Sequence, residues 1–228
     1  MSTVIRENQL IIRENQMANI TGIYKLYGIP EVLQMHMFRV AAIADQILSV
    51  WHGPNIDRES LMRVLLLHDM GNIVKMDIEP SEDSKTRAVR EKYLSKFGKD
   101  DHRVSHEIAK ELGLSNNELS LMDGKIFIKN DKTLLSNDYS RKIGAYADQR
   151  AAPDGVFPLL TRLREAQRRY SDKPGSSMNN PRTEKLIECA LEIEKQLMVY
   201  CDLDPSDITN TSVAYFIDHL HTFEVRIK

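Results

Sequence analysis

Two histidines and two aspartates, widely spread along the chain, have the most chemical potential: His36, the adjacent pair His68-Asp69, and Asp148. Imidazole nitrogens and carboxylate oxygens converging on one point make a donor set for a divalent metal ion. The pair closes the apolar run Leu65-Leu66-Leu67. Burying an unpaired carboxylate costs several kcal/mol, so Asp69 should face a cation or strong hydrogen-bond donors. His36 lies in the middle of an apolar helical segment, and Asp148 ends another. Three helices can then each deliver ligands to one centre, as in bundle proteins. Singly, each residue has a plain structural explanation, as a satisfied core histidine or a capping aspartate.

The elements that must position them are helical. Pro30 precedes a segment from Glu31 to Trp51 that is apolar nearly all round at its middle, the mark of a central buried helix, and His52-Gly53-Pro54 stops it. Asn55 or Asp57 caps a second helix running to His68-Asp69, and Gly71 falls where that helix ends or bends. Asp77 to Ser84 reads as an acidic loop and Arg87 to Phe97 as a polar helix. A further helix holds His102 and His106, closed by Gly113. Ser115 and Glu118 form a capping box for a short helix ended by Gly124. The alternating run Lys125-Ile-Phe-Ile-Lys129 predicts a short strand. Helices are expected over Ser136 to Asp148, Phe157 to Tyr170 and Thr183 to Tyr200. Asp204-Pro205 signals the start of the last helix, ending near Phe223. Residues 171 to 180 read as a surface loop. The pattern predicts nine or ten helices and almost no sheet.

Composition narrows the function. The 228 residues are 42% hydrophobic and 28% charged, an ordinary globular balance, and a chain this long needs no disulfide staples. A net charge of -2 argues against a nucleic-acid polymer as partner. The two cysteines, Cys189 and Cys201, are not in a Cys-x-x-Cys pair, which excludes a thiolate zinc site and makes a disulfide framework a poor fit. No run approaches a membrane span, and Met1 to Asn8 is mixed and charged, unlike a leader. The expected location is the cytoplasm.

The order and spacing of these residues carry a resemblance. Thirty-one residues separate His36 from His68-Asp69, and 78 separate the pair from Asp148. With His36-Met-Phe-Arg-Val-Ala-Ala-Ile-Ala, Leu65-Leu-Leu-His-Asp-Met-Gly71 and Tyr146-Ala-Asp-Gln-Arg150, the chain resembles the HD-domain superfamily of metal-dependent phosphohydrolases over roughly residues 30 to 170. The resemblance implies an all-α fold with a core of about five helices around the metal; with the helices expected beyond it, the chain reads as an HD-domain helical bundle with additional C-terminal helices, in a single domain over 1–228. The HD core spans about 30–170 and the C-terminal extension about 180–228. It implies that His36, His68, Asp69 and Asp148 bind a divalent metal (manganese, iron, cobalt, magnesium, nickel or zinc). Asp69 would also orient or deprotonate the attacking water.

Members with two metals add histidines between the pair and the last Asp. His102 is a candidate ligand on that ground and His106 a weaker one, although the family's added histidines are usually more widely spaced. Where many relatives carry Lys or Glu three residues after the Asp of the pair, this chain has Asn72, a neutral amide that cannot act as acid or base. Lys75, one turn on, can supply the missing charge and serves as a candidate catalytic residue. Arg150 and Arg39, with Asn72, are candidate phosphate contacts, because guanidinium suits paired oxygens. The expected function is hydrolysis of a phosphomonoester or phosphoanhydride of a small molecule, a nucleotide on the family's precedent. The alternative is a sensor that holds metal and nucleotide without turnover. The apolar stripe of the helix from Thr183, including Leu186, Ile187, Ile193 and Leu197, is expected to pack on the bundle, with a homodimer surface or a lid as the other use.

Overall fold

A computed structural model describes residues 17–76, 84–172, 178 and 180–226. Its elements in chain order begin with β1 (Met17–Asn19), α1 (Ile20–Tyr27), α2 (Glu31–Ser49) and α3 (Arg58–Leu67). A 3-10 helix (Met70–Lys75) follows, then α4 (Ser84–Phe97), α5 (Asp101–Glu111) and α6 (Asn116–Gly124). After a second 3-10 turn (Phe127–Lys129) come α7 (Asn130–Leu135), α8 (Tyr139–Arg150), the hairpin β2 (Ala151–Ala152) and β3 (Gly155–Val156), and α9 (Leu159–Tyr170). The chain closes with α10 (Thr183–Met198), a 3-10 turn (Pro205–Asp207), α11 (Asn210–Leu220) and β4 (Glu224–Arg226). The described fold is all-α, and its sheet is confined to two short antiparallel pairs, β1 with β4 and β2 with β3.

Helix α2 is the hub. Its residues from Met37 to Ile47 are all buried except the half-buried Arg39, and it packs against α3, α8 and α11. Ala41, Ala42 and Ala44 let those neighbours approach closely, while Phe38, Ile43 and Ile47 fill the spaces between them. Each fully buried large side chain contributes about 1.5–3 kcal/mol through removal from water. Helix α3 is capped by Asp57, whose side chain accepts from the Ser60 N–H, and Leu61 through Leu67 are buried along its length.

Two contacts fix the elements that flank the His68-Asp69 pair. Arg63 on α3 donates to Glu118 on α6 at 2.6 Å, with both side chains buried. Glu118 also completes the capping box with Ser115, as the sequence predicts. Burial alone would raise the Glu118 carboxyl, but hydrogen bonds from Arg63 and Ser115 outweigh it and hold its pKa below the usual value. The second contact is at Gly71. A Cβ there would lie 2.4 Å from both the Asp101 carbonyl oxygen and the Ser105 backbone nitrogen of α5. The Gly71 N–H donates to Ser105 Oγ at 2.9 Å. Close backbone approach, beyond any role in ending a helix, is what requires glycine here.

Several boundaries differ from the sequence reading. The Lys125–Lys129 run forms a 3-10 turn, not a strand: it bridges α6 and α7, and the Lys129 N–H bonds locally to the Ile126 carbonyl at 2.8 Å. Asp204-Pro205 opens only a 3-10 turn, and α11 begins later under its own cap, Thr209. Asp138 caps α8, which therefore starts at Tyr139 and runs on to Arg150. There are eleven α-helices among the described residues, more than the pattern predicts. The reading of residues 1–8, nearly all of the acidic loop at 77–84 and most of the loop at 171–180 lie outside the described residues. The α10 stripe does pack inward, with Leu186, Ile187, Ile193 and Leu197 buried on the side of α7, α8 and α9.

Substituting Gly71→Ala forces a backbone shift between the 3-10 helix and α5. It should lower stability by about 1–3 kcal/mol, the range for overpacking a close contact. An unchanged denaturation midpoint would contradict the assignment.

Candidate metal centre

Helices α2, α3 and α8 pack against one another and carry His36, His68-Asp69 and Asp148 to one place. One donor atom from each of the four lies within 4.8 Å of every other. His36 Nε2 is 3.4 Å from Asp69 Oδ2 and 3.3 Å from Asp148 Oδ1. His68 Nε2 is 3.6 Å and 3.3 Å from the same two oxygens. His68 and Asp69 are buried, whereas His36 and Asp148 are partly exposed, so the group opens to solvent along one side.

His68 is the most constrained member. It caps the C-terminus of α3, where the Leu65 carbonyl has no helical partner of its own. His68 Nδ1 lies 2.6 Å from that carbonyl oxygen, which fixes the ring and assigns the proton to Nδ1. The other nitrogen, Nε2, is buried beside two carboxylates, 3.6 Å from Asp69 Oδ2 and 3.3 Å from Asp148 Oδ1, and has no aligned hydrogen-bond partner among the described residues. An orphaned buried imidazole nitrogen is costly unless a cation sits before it. The second-sphere carbonyl is also the partner expected of a metal-ligating histidine. These residues therefore fit a divalent ion, and the mixed nitrogen and oxygen donors suit first-row metals.

The carboxylates are strongly ionised. Burial opposes the charge on Asp69, but Lys125, His68 and His36 outweigh it and hold its pKa well below the usual range. Asp148 is lowered in the same way, by Lys125 and both histidines against its burial. Burial would lower the His36 imidazole, yet Asp148 and Asp69 outweigh it and push its pKa up to about 9.

Lys125, at the C-cap of α6, is the member that sequence reasoning missed. Its ammonium forms an ion pair with Asp69 Oδ1, and only 12% of its side chain is exposed. A lysine just past a helix-ending glycine looks like ordinary surface charge, and nothing local to the sequence separates the two. Asn72 donates to Asp69 Oδ2 at 2.5 Å, so the departure from the family pattern serves to hold the carboxylate.

Other expected residues lie elsewhere. Arg150 is only 1% exposed, and its guanidinium is spent on structure. It donates to the Phe157 carbonyl, to Tyr146 Oη at 2.5 Å, to the Ile208 carbonyl at 2.9 Å and to the Pro205 carbonyl at 3.2 Å. It ties α8 to the C-terminal segment and has no free edge for phosphate. Arg39 donates to the Pro153 carbonyl at 2.8 Å, across the β2–β3 turn. Lys75 pairs with Asp101 at 2.7 Å on an exposed edge, and Asp69 acts on it only through space, raising its pKa against the effect of burial. His102 does not join the four. It gathers with His106 and Asp123 in a separate group.

No described helix is long and apolar enough to cross a membrane. No curated protein and no solved structure matches the chain. A family model for the HD domain matches residues 33–151, more than half of the chain, and takes in all four clustered residues. HD domains bind divalent metals and belong to a hydrolase-type family. The helical fold, the ordered motif and the matched span together place this chain in the HD-domain family.

Proposed function

We propose that the chain is a metal-dependent phosphohydrolase acting on a phosphomonoester or phosphoanhydride of a small molecule, a nucleotide on the family's precedent. The observation that carries the reading is the buried His68 Nε2, within 3.6 Å of two ionised carboxylates and without an aligned hydrogen-bond partner among the described residues. His36, His68, Asp69 and Asp148 would hold the ion. When bound, a divalent ion lowers the pKa of coordinated water and polarises a phosphoryl oxygen.

The chain's own residues supply the rest. The Leu65 carbonyl holds the His68 ring so that Nε2 faces the site. Asn72 and Lys125 pin the Asp69 carboxylate from both ends. Because these partners keep Asp69 ionised, it orients a water by accepting its hydrogen bond more readily than it stores a proton. Lys125 is the buried cation beside the centre and offsets phosphate charge there, the role first expected of Lys75 and Arg150. The open side between His36 and Asp148 admits the substrate.

A panel of phosphorylated metabolites assayed for phosphate release with manganese, iron, cobalt, nickel, magnesium and zinc tests this reading. Turnover of at least one is expected. Tight binding without turnover would favour a sensor. Asp69→Asn should reduce turnover by roughly 10²-fold or more with the fold intact. Lys125→Ala should lower kcat/KM, Lys125→Arg should recover part of it, and Lys75→Ala should have little effect. Equal losses for Lys125→Ala and Lys75→Ala would contradict the assignment.

The His36 proton gives a pH test. Metal uptake must displace a proton held up to about pH 9. Apparent affinity should rise with pH, by about tenfold per unit below that value, and then level off. The metal-free protein should show the opposite trend. The His36 contribution to stability is full below the ordinary imidazole pKa of 6.5 and is lost as pH rises through about 9. Metal affinity independent of pH across this range would contradict the ligand set.

A further inference from the structure

We propose that His102, His106 and Asp123 form a second site, separate from the first, for one divalent transition-metal ion. His102 and His106 lie four residues apart on α5, so both rings leave the same face of the helix. Their centroids are 4.5 Å apart. Asp123, near the end of α6, reaches between them. His102 Nε2 is 2.7 Å from Asp123 Oδ1, and His106 Nε2 is 2.9 Å from that same oxygen. Three donor atoms from two helices thus converge within 4.8 Å.

Hydrogen bonding explains only half of this arrangement. His102 makes an aligned hydrogen bond to Asp123. His106 Nε2 is buried and, among the described residues, has no aligned hydrogen bond despite lying 2.9 Å from the carboxylate. A buried ring nitrogen that spends no aligned hydrogen bond on a carboxylate 2.9 Å away keeps its donor capacity for another partner. An ion among the three groups would satisfy both imidazoles and the carboxylate at once. Two nitrogens and one oxygen suit zinc, cobalt, nickel or copper, not magnesium or calcium, which prefer oxygen alone. His102 and Asp123 remain partly exposed, which leaves room for water to complete a four-coordinate shell.

The site does not extend the first. Its three donors form a group apart from the four at the first centre, where Asp69 pairs through Oδ1 with Lys125 and through Oδ2 with Asn72. Lys125 follows Asp123 by two residues and places an ammonium on the Asp69 side of α6. An ion here would clamp α5, which packs on the 3-10 helix after Asp69, to α6, which carries Lys125.

Cobalt(II) bound per chain, measured by elemental analysis after equilibrium dialysis of the full chain, tests the proposal. Wild type should bind two ions. His106→Ala and Asp123→Asn should each bind one, with loss of the corresponding visible absorption. His68→Ala should also bind one, and His68→Ala combined with Asp123→Asn should bind none. Asp123→Asn is nearly isosteric, so it keeps the test valid if His106→Ala fails to fold. The second site is overturned if wild type binds one ion and His68→Ala none, or if Asp123→Asn leaves the stoichiometry unchanged. Because the His68→Ala background lacks the first centre, the result stands apart from the proposed hydrolase activity.

Discussion

Two carboxylates, Asp69 and Asp148, are held beside the same pair of imidazoles in the interior of a helical bundle. Charge of one sign cannot be gathered in that way without compensation. The surrounding structure supplies it in pieces. Lys125 pairs with Asp69, and His36 takes up a proton between the two acids. The remaining buried nitrogen, His68 Nε2, is left without an aligned hydrogen-bond partner among the described residues. A divalent cation answers all of these requirements together, which is why the fold, the electrostatics and the chemistry point to one centre.

The scaffold follows from that requirement. From Met37 to Ile47 helix α2 is buried on nearly every side, which sets His36 against α3 and α8, and its alanines make that approach possible. The Arg63–Glu118 pair anchors α6 on α3, so that the lysine just beyond α6 meets Asp69. Gly71 brings the 3-10 helix onto α5 at backbone distance, which settles the segment that carries Asn72. Stability and site geometry are therefore maintained by the same contacts.

The central part of this was legible in the sequence. The His36, His68-Asp69 and Asp148 motif sits on periodic apolar helices, and periodicity with spacing is what local sequence encodes well. The capping box at Ser115 and the helix-opening Asp57 were readable for the same reason. What escaped depends on tertiary placement. Lys125 and Arg150 have the same charge and both sit at helix C-termini, yet one folds into the acidic centre and the other into a cage of backbone carbonyls. Asp123 looks like any polar residue near a helix end until α5 is laid against α6. The Lys125–Lys129 run alternates like a strand, but without a neighbouring strand its backbone bonds locally instead.

The most direct measurement is anomalous diffraction from crystals of the manganese-loaded protein. The account predicts an anomalous peak enclosed by His36, His68, Asp69 and Asp148, with His68 ligating through Nε2. A fully loaded protein with no peak at that position, and with the four side chains closed on one another, would contradict it.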